Sequence, residues 1–172
     1  GRYLDLDLNG KTVPAWGDID QDNDDDLVIG TKDGMVSVYI NNGDISNLEF
    51  VTQIDIGDDA APTILSNGSI IAGNEVGDLK LLDFESGNLI ERTMPDYPYC
   101  GQNLTPYPLS ISESQEFENL LVGSKAGGIQ YLSYNSLTIQ KENDPIAIGF
   151  EIDAVYPNPN NGHCKIDLNI EE

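Results

Sequence analysis

Residues 13–44 decide the fold, and they read VPAWGDIDQDNDDDLVIGTKDGMVSVYINNGD. An apolar run, LVIG, is followed by the turn TKDG and by the alternating run MVSVYIN. A short apolar run bounded by turn residues is typical of a buried strand, and period-two alternation is typical of a strand with one buried face. Glycine ends the turn, at a position where positive φ is often needed. The stretch therefore predicts β-strands joined by a tight turn.

The same pattern returns twice further along the chain. Ala61 begins the second unit, APTILSNGSIIAGNEVGDLKLLDFESGN, and Tyr107 begins the third, YPLSISESQEFENLLVGSKAGGIQYLSYNS. Further short strands, such as LEFVTQIDI at 48–56, would complete each unit as a four-stranded antiparallel sheet. Each unit carries two glycines four residues apart: Gly30 and Gly34, Gly73 and Gly77, Gly123 and Gly127.

Repeats of roughly 40 to 50 residues with four strands each are the signature of β-propeller blades. The sequence therefore predicts an all-β fold: part of a β-propeller over residues 1–150, with about three blades near 13–58, 61–105 and 107–150. Three blades do not close a ring that usually needs four to eight, so the missing blades are expected upstream. A small β-sandwich in which the repetition is accidental remains the alternative.

The chain is strongly acidic, which restricts its partners. Its 172 residues include 30 Asp plus Glu against 8 Lys plus Arg, and the formal net charge is -22. Such a surface repels phosphate backbones and anionic lipid, so neither nucleic acid nor membrane is expected as a partner. No stretch approaches the roughly 18 apolar residues of a membrane span.

Six carboxylates fall within the nine residues 18–26 and call for a cation. Carboxylates at alternate positions of a tight loop can converge on one point, and Ca²⁺ takes six to eight oxygen ligands. Without a cation, repulsion among so many like charges would be costly. The predicted ligands are the side chains of Asp18, Asp20, Asp22 and Asp26 and the backbone carbonyl of Asp24.

An EF-hand does not fit this loop. Position 12 would require Glu and is Ile29, and the flanking segments are strand-like rather than helical. Position 6 is Asn23, which tolerates the left-handed conformation better than most residues. Magnesium is disfavoured because it seldom sits in an all-protein cage, and an extracellular calcium module binds with a Kd of roughly 10⁻⁴ to 10⁻³ M. An acidic turn that binds no metal is the alternative.

The first unit resembles an FG-GAP or VCBS repeat, the calcium-binding blade of integrin α-subunits and many bacterial secreted proteins. Besides the aspartates, the resemblance rests on Pro14, Ala15, Leu27, Gly30 and Gly34. It implies a structural ion that ties the loop between two strands, remote from any chemistry. The other units keep only the glycine framework, so one calcium site is expected. The spacing of the acidic residues in the third unit does not fit a second site: Glu113, Glu116 and Glu118.

The C-terminal stretch VYPNPNNGHCKIDLNI, residues 155–170, resembles the start of a type A sorting domain of type IX secretion in Bacteroidota. The matching residues are Tyr156, Pro157, Asn158, Pro159 and Gly162, after Val155. The resemblance implies that residues 151–172 are a linker and the first strand of a sorting domain. It also implies export by the type IX machinery to the medium or the outer cell surface of a Gram-negative bacterium, with a signal peptide upstream. An ordinary Pro-Asn turn is the alternative.

Catalysis within these residues is not expected. The single histidine, His163, lies in the sorting-like segment, so no nucleophile–histidine pair can be built in the propeller. Cys100 has no evident activator, and its pairing with Cys164 is left open. The predicted function is adhesion or ligand binding, with an unidentified surface glycan or protein as partner and with Tyr97, Tyr99 and Tyr107 as contact residues or as packing between blades. An accessory propeller of a secreted hydrolase and a passive spacer are the alternatives.

Overall fold

The computed structural model describes Leu8 and residues 10–94, 96–109 and 119–132. The chain divides into two compact units, Gly1–Thr138 and Ile139–Glu172, and all described residues belong to the first. Eleven strands are described: β1 Thr12–Gly17, β2 Asp26–Thr31, β3 Met35–Ile40, β4 Glu49–Asp55, β5 Ala61–Ile64, β6 Ile70–Gly73, β7 Leu79–Glu85, β8 Asn88–Arg92, β9 Thr105–Leu109, β10 Asn119–Gly123 and β11 Ile129–Leu132. None of the described residues forms a helix, and so none forms one that could span a membrane.

The strands form three antiparallel sheets in chain order. The first sheet contains β1 to β4, the second contains β5 to β8, and the described part of the third contains β9 to β11. In every sheet, neighbouring strands in the chain are neighbouring strands in space. The all-β class and two of the four-stranded sheets predicted from the sequence are thereby confirmed. Any fourth strand of the third sheet, and the segment 151–172 predicted as a linker and the start of a sorting domain, lie outside the described residues.

Glycine ends the turn between the second and third strands of each sheet. Gly34, Gly77 and Gly127 have φ of 88°, 99° and 84°, a region that side chains with a Cβ enter only at a cost. The predicted need for glycine at these turns is confirmed. Because the turn fixes the strand register, the apolar side chains on either side of it reach defined faces of the sheet.

The first and second sheets pack face to face. From the first sheet, Val28, Val36 and Val38 are fully buried in a common core with Ile70 and Leu82 of the second. Hydrophobic burial of this kind is the main force that holds sheets together. The first strands of the two sheets, β1 and β5, contact each other, as do the last strands, β4 and β8.

The second sheet packs on the third through its other face. Ile71 and Leu81 share a second core with Leu120 and Val122 of the third sheet. Successive side chains of a strand point to opposite faces, so β6 contributes Ile70 to one core and Ile71 to the other. The second sheet is therefore covered on both faces, which differs from a two-sheet sandwich. The described strands do not form a closed ring, and the propeller stays a prediction.

Two connecting segments, residues 56–62 and 100–106, link consecutive sheets, and we call them the first and second joints. They have the same backbone course: Gly57 and Gly101 have φ of 92° and 99°, and Asp59 and Asn103 have φ of 56° and 51°. Each joint donates two backbone N–H groups to the preceding sheet: Asp59 to the Lys32 carbonyl at 2.8 Å, Ala60 to Thr31 at 3.0 Å, Asn103 to Glu75 at 3.0 Å and Leu104 to Asn74 at 3.2 Å. The relation of the first sheet to the second is thus repeated between the second and the third.

Candidate metal centre

The aspartate-rich loop, residues 18–25, connects β1 to β2 at one end of the first sheet. Its second residue, Ile19, is 5% exposed and belongs to the core between the first and second sheets. Its neighbours Asp18 and Asp20 are partly and largely exposed. An apolar side chain held in the core therefore fixes the start of the loop.

Hydrogen bonds within the loop hold it in a tight turn. The Asp18 carboxylate accepts the backbone N–H of Asp22 at 3.1 Å and of Asn23 at 3.0 Å. Asp22 in turn accepts the backbone N–H of Asp24 at 2.9 Å. Asn23 has a φ of 74°, which confirms that position 6 needs the left-handed conformation, and Gln21 also adopts positive φ, at 64°. These turns bring alternate side chains to one side of the loop.

Three of the predicted ligands come together. Asp18, Asp20 and Asp22 each place one carboxylate oxygen so that the three atoms lie within 4.8 Å of one another, a group that could hold a metal ion. Burial, and after it the charge of Asp22, raises the pKa of Asp20 above its ordinary value. The raised pKa shows that the site disfavours negative charge when no cation is present. A cation between the three oxygens would reverse that penalty.

Asp26, a fourth predicted ligand, begins β2 and is fully buried. One of its carboxylate oxygens accepts the backbone N–H of Ile19 at 3.0 Å, and the other accepts that of Asn41 at 2.9 Å. Burial raises its pKa, the two hydrogen bonds lower it, and the charges of Asp20 and Asp22 raise it further. Asp26 therefore ties the loop to the strands and lies within electrostatic reach of the three grouped carboxylates. Its direct coordination of a cation stays a prediction.

Asp24, the fifth predicted ligand, contacts the loop through its backbone N–H, and coordination by its carbonyl stays a prediction. Beside it lies the turn that follows β3. Asn41 donates its side-chain amide to the Asp25 carbonyl at 3.1 Å, and its Oδ1 is buried with no hydrogen-bond partner among the described residues. The sequence analysis did not identify Asn41, because it lies 15 residues after Asp26 and outside the loop pattern.

The loop also touches the second sheet. Gln21 donates its side-chain amide to the Asn67 carbonyl at 3.0 Å, in the turn between β5 and β6. A Cβ on Gly68 would lie 3.0 Å from the Ile19 carbonyl oxygen and 3.2 Å from that of Asp18. These distances are tighter than most Cβ contacts, and Gly68 has a φ of 85°, so the close approach of the two backbones favours glycine here. The loop that carries the candidate metal centre therefore contacts both the first and the second sheet.

Comparison of the chain with models of known families, with curated proteins and with solved structures gave no match. The likeness to calcium-binding blade repeats and to sorting domains therefore rests on the residues quoted above, and both stay predictions.

The other predicted contact residues are dispersed. Tyr97 is half-buried, and its hydroxyl accepts the backbone N–H of Leu79 at 2.6 Å, so it serves packing. Tyr99 and Tyr107 are exposed. Cys100 is a buried thiol with no disulfide partner among the described residues, and burial raises its pKa. Several predicted residues lie outside the described part of the chain: Glu113, Glu116, Glu118, Val155, Tyr156, Pro157, Asn158, Pro159, Gly162, His163 and Cys164.

Proposed function

We propose that this chain is a calcium-stabilised β-propeller region of a secreted or cell-surface protein that serves adhesion or ligand binding and carries out no catalysis. The observation that carries the proposal is the convergence of Asp18, Asp20 and Asp22 within 4.8 Å on one loop. Export by the type IX machinery, with the segment 151–172 as its signal, belongs to the same proposal and rests on the sequence resemblance alone.

The arrangement of the sheets supports a propeller. Equivalent strands meet across each interface: β1 contacts β5, and β5 contacts β9. The two joints repeat the same hydrogen bonds to the preceding sheet, so the first sheet is linked to the second as the second is linked to the third. Repetition of one antiparallel sheet, packed face to face along the chain, is expected of propeller blades.

The ligand atoms support calcium over other cations. All the grouped atoms are carboxylate oxygens, the type that hard cations prefer, and no thiolate or imidazole takes part. The loop is short and anchored at both ends, which suits an ion that tolerates irregular coordination. Because the loop contacts both sheets, a bound ion would stabilise their interface. The exposed Tyr99 is available for a surface glycan or protein ligand.

Calorimetric titration of the full chain with CaCl₂ tests the metal site. We expect one binding event per chain, lost in Asp20→Ala and in Asp22→Ala and retained in the charge-matched control Asp96→Ala, whose side chain is exposed outside the loop. MgCl₂ should give weaker heats. Equal heats in the wild type and both loop variants would overturn the site. Glycan-array or cell binding with and without chelator then tests the adhesion role separately.

A further inference from the structure

The third sheet has an exposed apolar face on the side opposite its core. In the register of β9, β10 and β11, Tyr107 and Tyr131 both pair with Leu121, so the three form one row across the sheet. Ile129 lies two residues from Tyr131 on the same face. Ile129 is 71% exposed, Tyr107 64% and Tyr131 53%. We call these four residues the open face.

For three of the four residues of the open face, the equivalent positions of the other two sheets are buried. Counted from the conserved spacing of the two glycines in each unit, Leu121, Ile129 and Tyr131 correspond to Val28, Val36 and Val38 of the first sheet, all at 0% exposure. In the second sheet they correspond to Ile71, Leu79 and Leu81, at 3%, 3% and 7%. In both cases the next sheet along the chain covers them. The open face of the third sheet is therefore equivalent to the faces of the first and second sheets that are covered by a neighbouring sheet, but among the described residues no sheet covers it.

The glycines give an independent sign of the missing cover. A Cβ on Gly30 would lie 2.3 Å from the Ala60 carbonyl oxygen in the first joint, and one on Gly73 would lie 2.2 Å from that of Leu104 in the second. Both glycines are thus required by the close approach of the following joint. A Cβ on the equivalent Gly123 would meet nothing nearer than the Thr105 carbonyl oxygen of its own sheet, at 3.8 Å.

Three polar side chains at equivalent positions contact one another in a row, and the row ends at Asn103 beside the third sheet. Lys11, Asp59 and Asn103 each lie three residues before a proline near the start of the first strand of a sheet. Lys11 lies 4.0 Å from the Asp59 carboxylate, and Asn103 donates its amide to Asp59 at 2.8 Å. The Asn103 Oδ1 is buried and has no hydrogen-bond partner in the described part of the chain. A buried acceptor is costly unless a donor reaches it.

We propose that the open face is the docking site of a fourth antiparallel sheet of the same repeat in the same polypeptide, one of the blades expected upstream, whose backbone approaches Gly123 and places a hydrogen-bond donor on Asn103. The same polypeptide is indicated because each of the two equivalent faces is covered by another sheet of the same chain. A second copy of the chain fits less well: the opposite end of the stack, the outer face of the first sheet, already buries Leu27, Ile29 and Tyr39. This inference rests on the proposed propeller but is independent of calcium.

Thiol footprinting tests the docking site in the polypeptide as the cell produces it. Ile129→Cys is compared with Val76→Cys, a matched control on an exposed turn at 63% exposure. We expect the cysteine at position 129 to react with a maleimide at least about tenfold more slowly than the control, at every protein concentration, because a covering sheet must open first. Equal rates would overturn the proposal. Protection that disappears on dilution would assign the cover to a second copy and would also overturn it.

A pair of glycine variants gives a second, structural readout. If the backbone of the covering sheet approaches Gly123 as the second joint approaches Gly73, Gly123→Ala should lower Tm about as much as Gly73→Ala does. An unchanged Tm in Gly123→Ala, beside a large drop in Gly73→Ala, would refute a fourth sheet. Neither readout involves metal. If the titration shows no calcium binding but the maleimide and Tm results are as expected, the metal site is rejected and the docking of a fourth sheet on the open face is still supported.

Discussion

The proposed calcium site predicts opposite effects of Asp20 on stability with and without the cation, because the charge that would bind calcium repels the neighbouring carboxylates in its absence. Burial and the charge of Asp22 raise its pKa, so the ionised group costs stability in the metal-free state. We expect Asp20→Asn to raise Tm in chelator and to lower it in calcium, with calcium affinity reduced at least about tenfold. Thermal unfolding under both conditions measures this. Asp96→Asn, the control, should shift Tm in the same direction in both; a like pattern in Asp20→Asn would contradict a metal role.

The pH dependence of the metal-free protein follows from the same residues. Asp20 and Asp26 have folded-state pKa values above the ordinary 3.8, with burial as the largest cause. A raised carboxyl pKa favours folding below the unfolded-state value, and this contribution is lost as pH rises through the folded-state value. For these two groups, metal-free stability therefore falls as pH rises from about 3.8. Urea unfolding across pH 3.5–7 should show a shallower fall for Asp20→Asn than for the wild type; equal slopes would contradict the assignment.

Single residues show how far sequence reasoning can reach. The convergence of Asp18, Asp20 and Asp22 was predictable because ligands at alternate positions of one loop are set by local geometry. The partnership of Asp26 with Asn41 was not, since it depends on how β3 returns beside β2. The buried Oδ1 of Asn103, which has no hydrogen-bond partner among the described residues, was not predictable. Its position depends on the tertiary contact between Asn103 and Asp59 of the other joint.

Among the elements, the turn between β5 and β6 should affect calcium binding by the aspartate-rich loop, which it contacts from the neighbouring sheet. Gly68 has a φ of 85° and backs onto the carbonyls of Asp18 and Ile19. Gly68→Ala should cost about 1–2 kcal/mol through backbone strain and should also weaken calcium binding by displacing the loop. Gly87→Ala is the matched control: its φ is 79°, but its Cβ would meet only a Val51 methyl at 3.7 Å. Calorimetry should find normal affinity in the control, and the same normal affinity in Gly68→Ala would disprove the coupling.

The strands could be predicted from the sequence, and the joints could not. LVIG, IIAG and LLVG were recognisable as buried strands, and the turns after them by their terminal glycine, because both signals are local. The joints could not be predicted, although IGDDAAP and CGQNLTP share an apolar residue, glycine, an acidic or amide residue and proline at the same spacing. Their meaning lies in hydrogen bonds to the preceding sheet, which no local pattern expresses.

At the scale of the whole molecule, the sheets pack face to face, so we expect calcium bound in the first sheet to raise the free energy of unfolding of all the packed sheets together. With a Kd of about 10⁻⁴ M, 10 mM calcium would stabilise the folded state by about 2.7 kcal/mol. The core between the first two sheets includes Ile19 of the aspartate-rich loop and Leu82 of the second sheet. A substitution that weakens packing on either side of this core should therefore destabilise the first and second sheets together.

Leu82→Ala tests that cooperativity. Leu82 is fully buried, so its truncation should cost about 2–5 kcal/mol, whereas Ile90→Ala, at a position 36% exposed, should cost far less. If the stack unfolds as one unit, Leu82→Ala will give a single transition in calorimetry, shifted down in calcium and in chelator alike, and the increment from calcium will persist. Two transitions, of which only one responds to calcium, would mean that the first sheet unfolds apart from the second. The bound ion would then stabilise one sheet and not the interface.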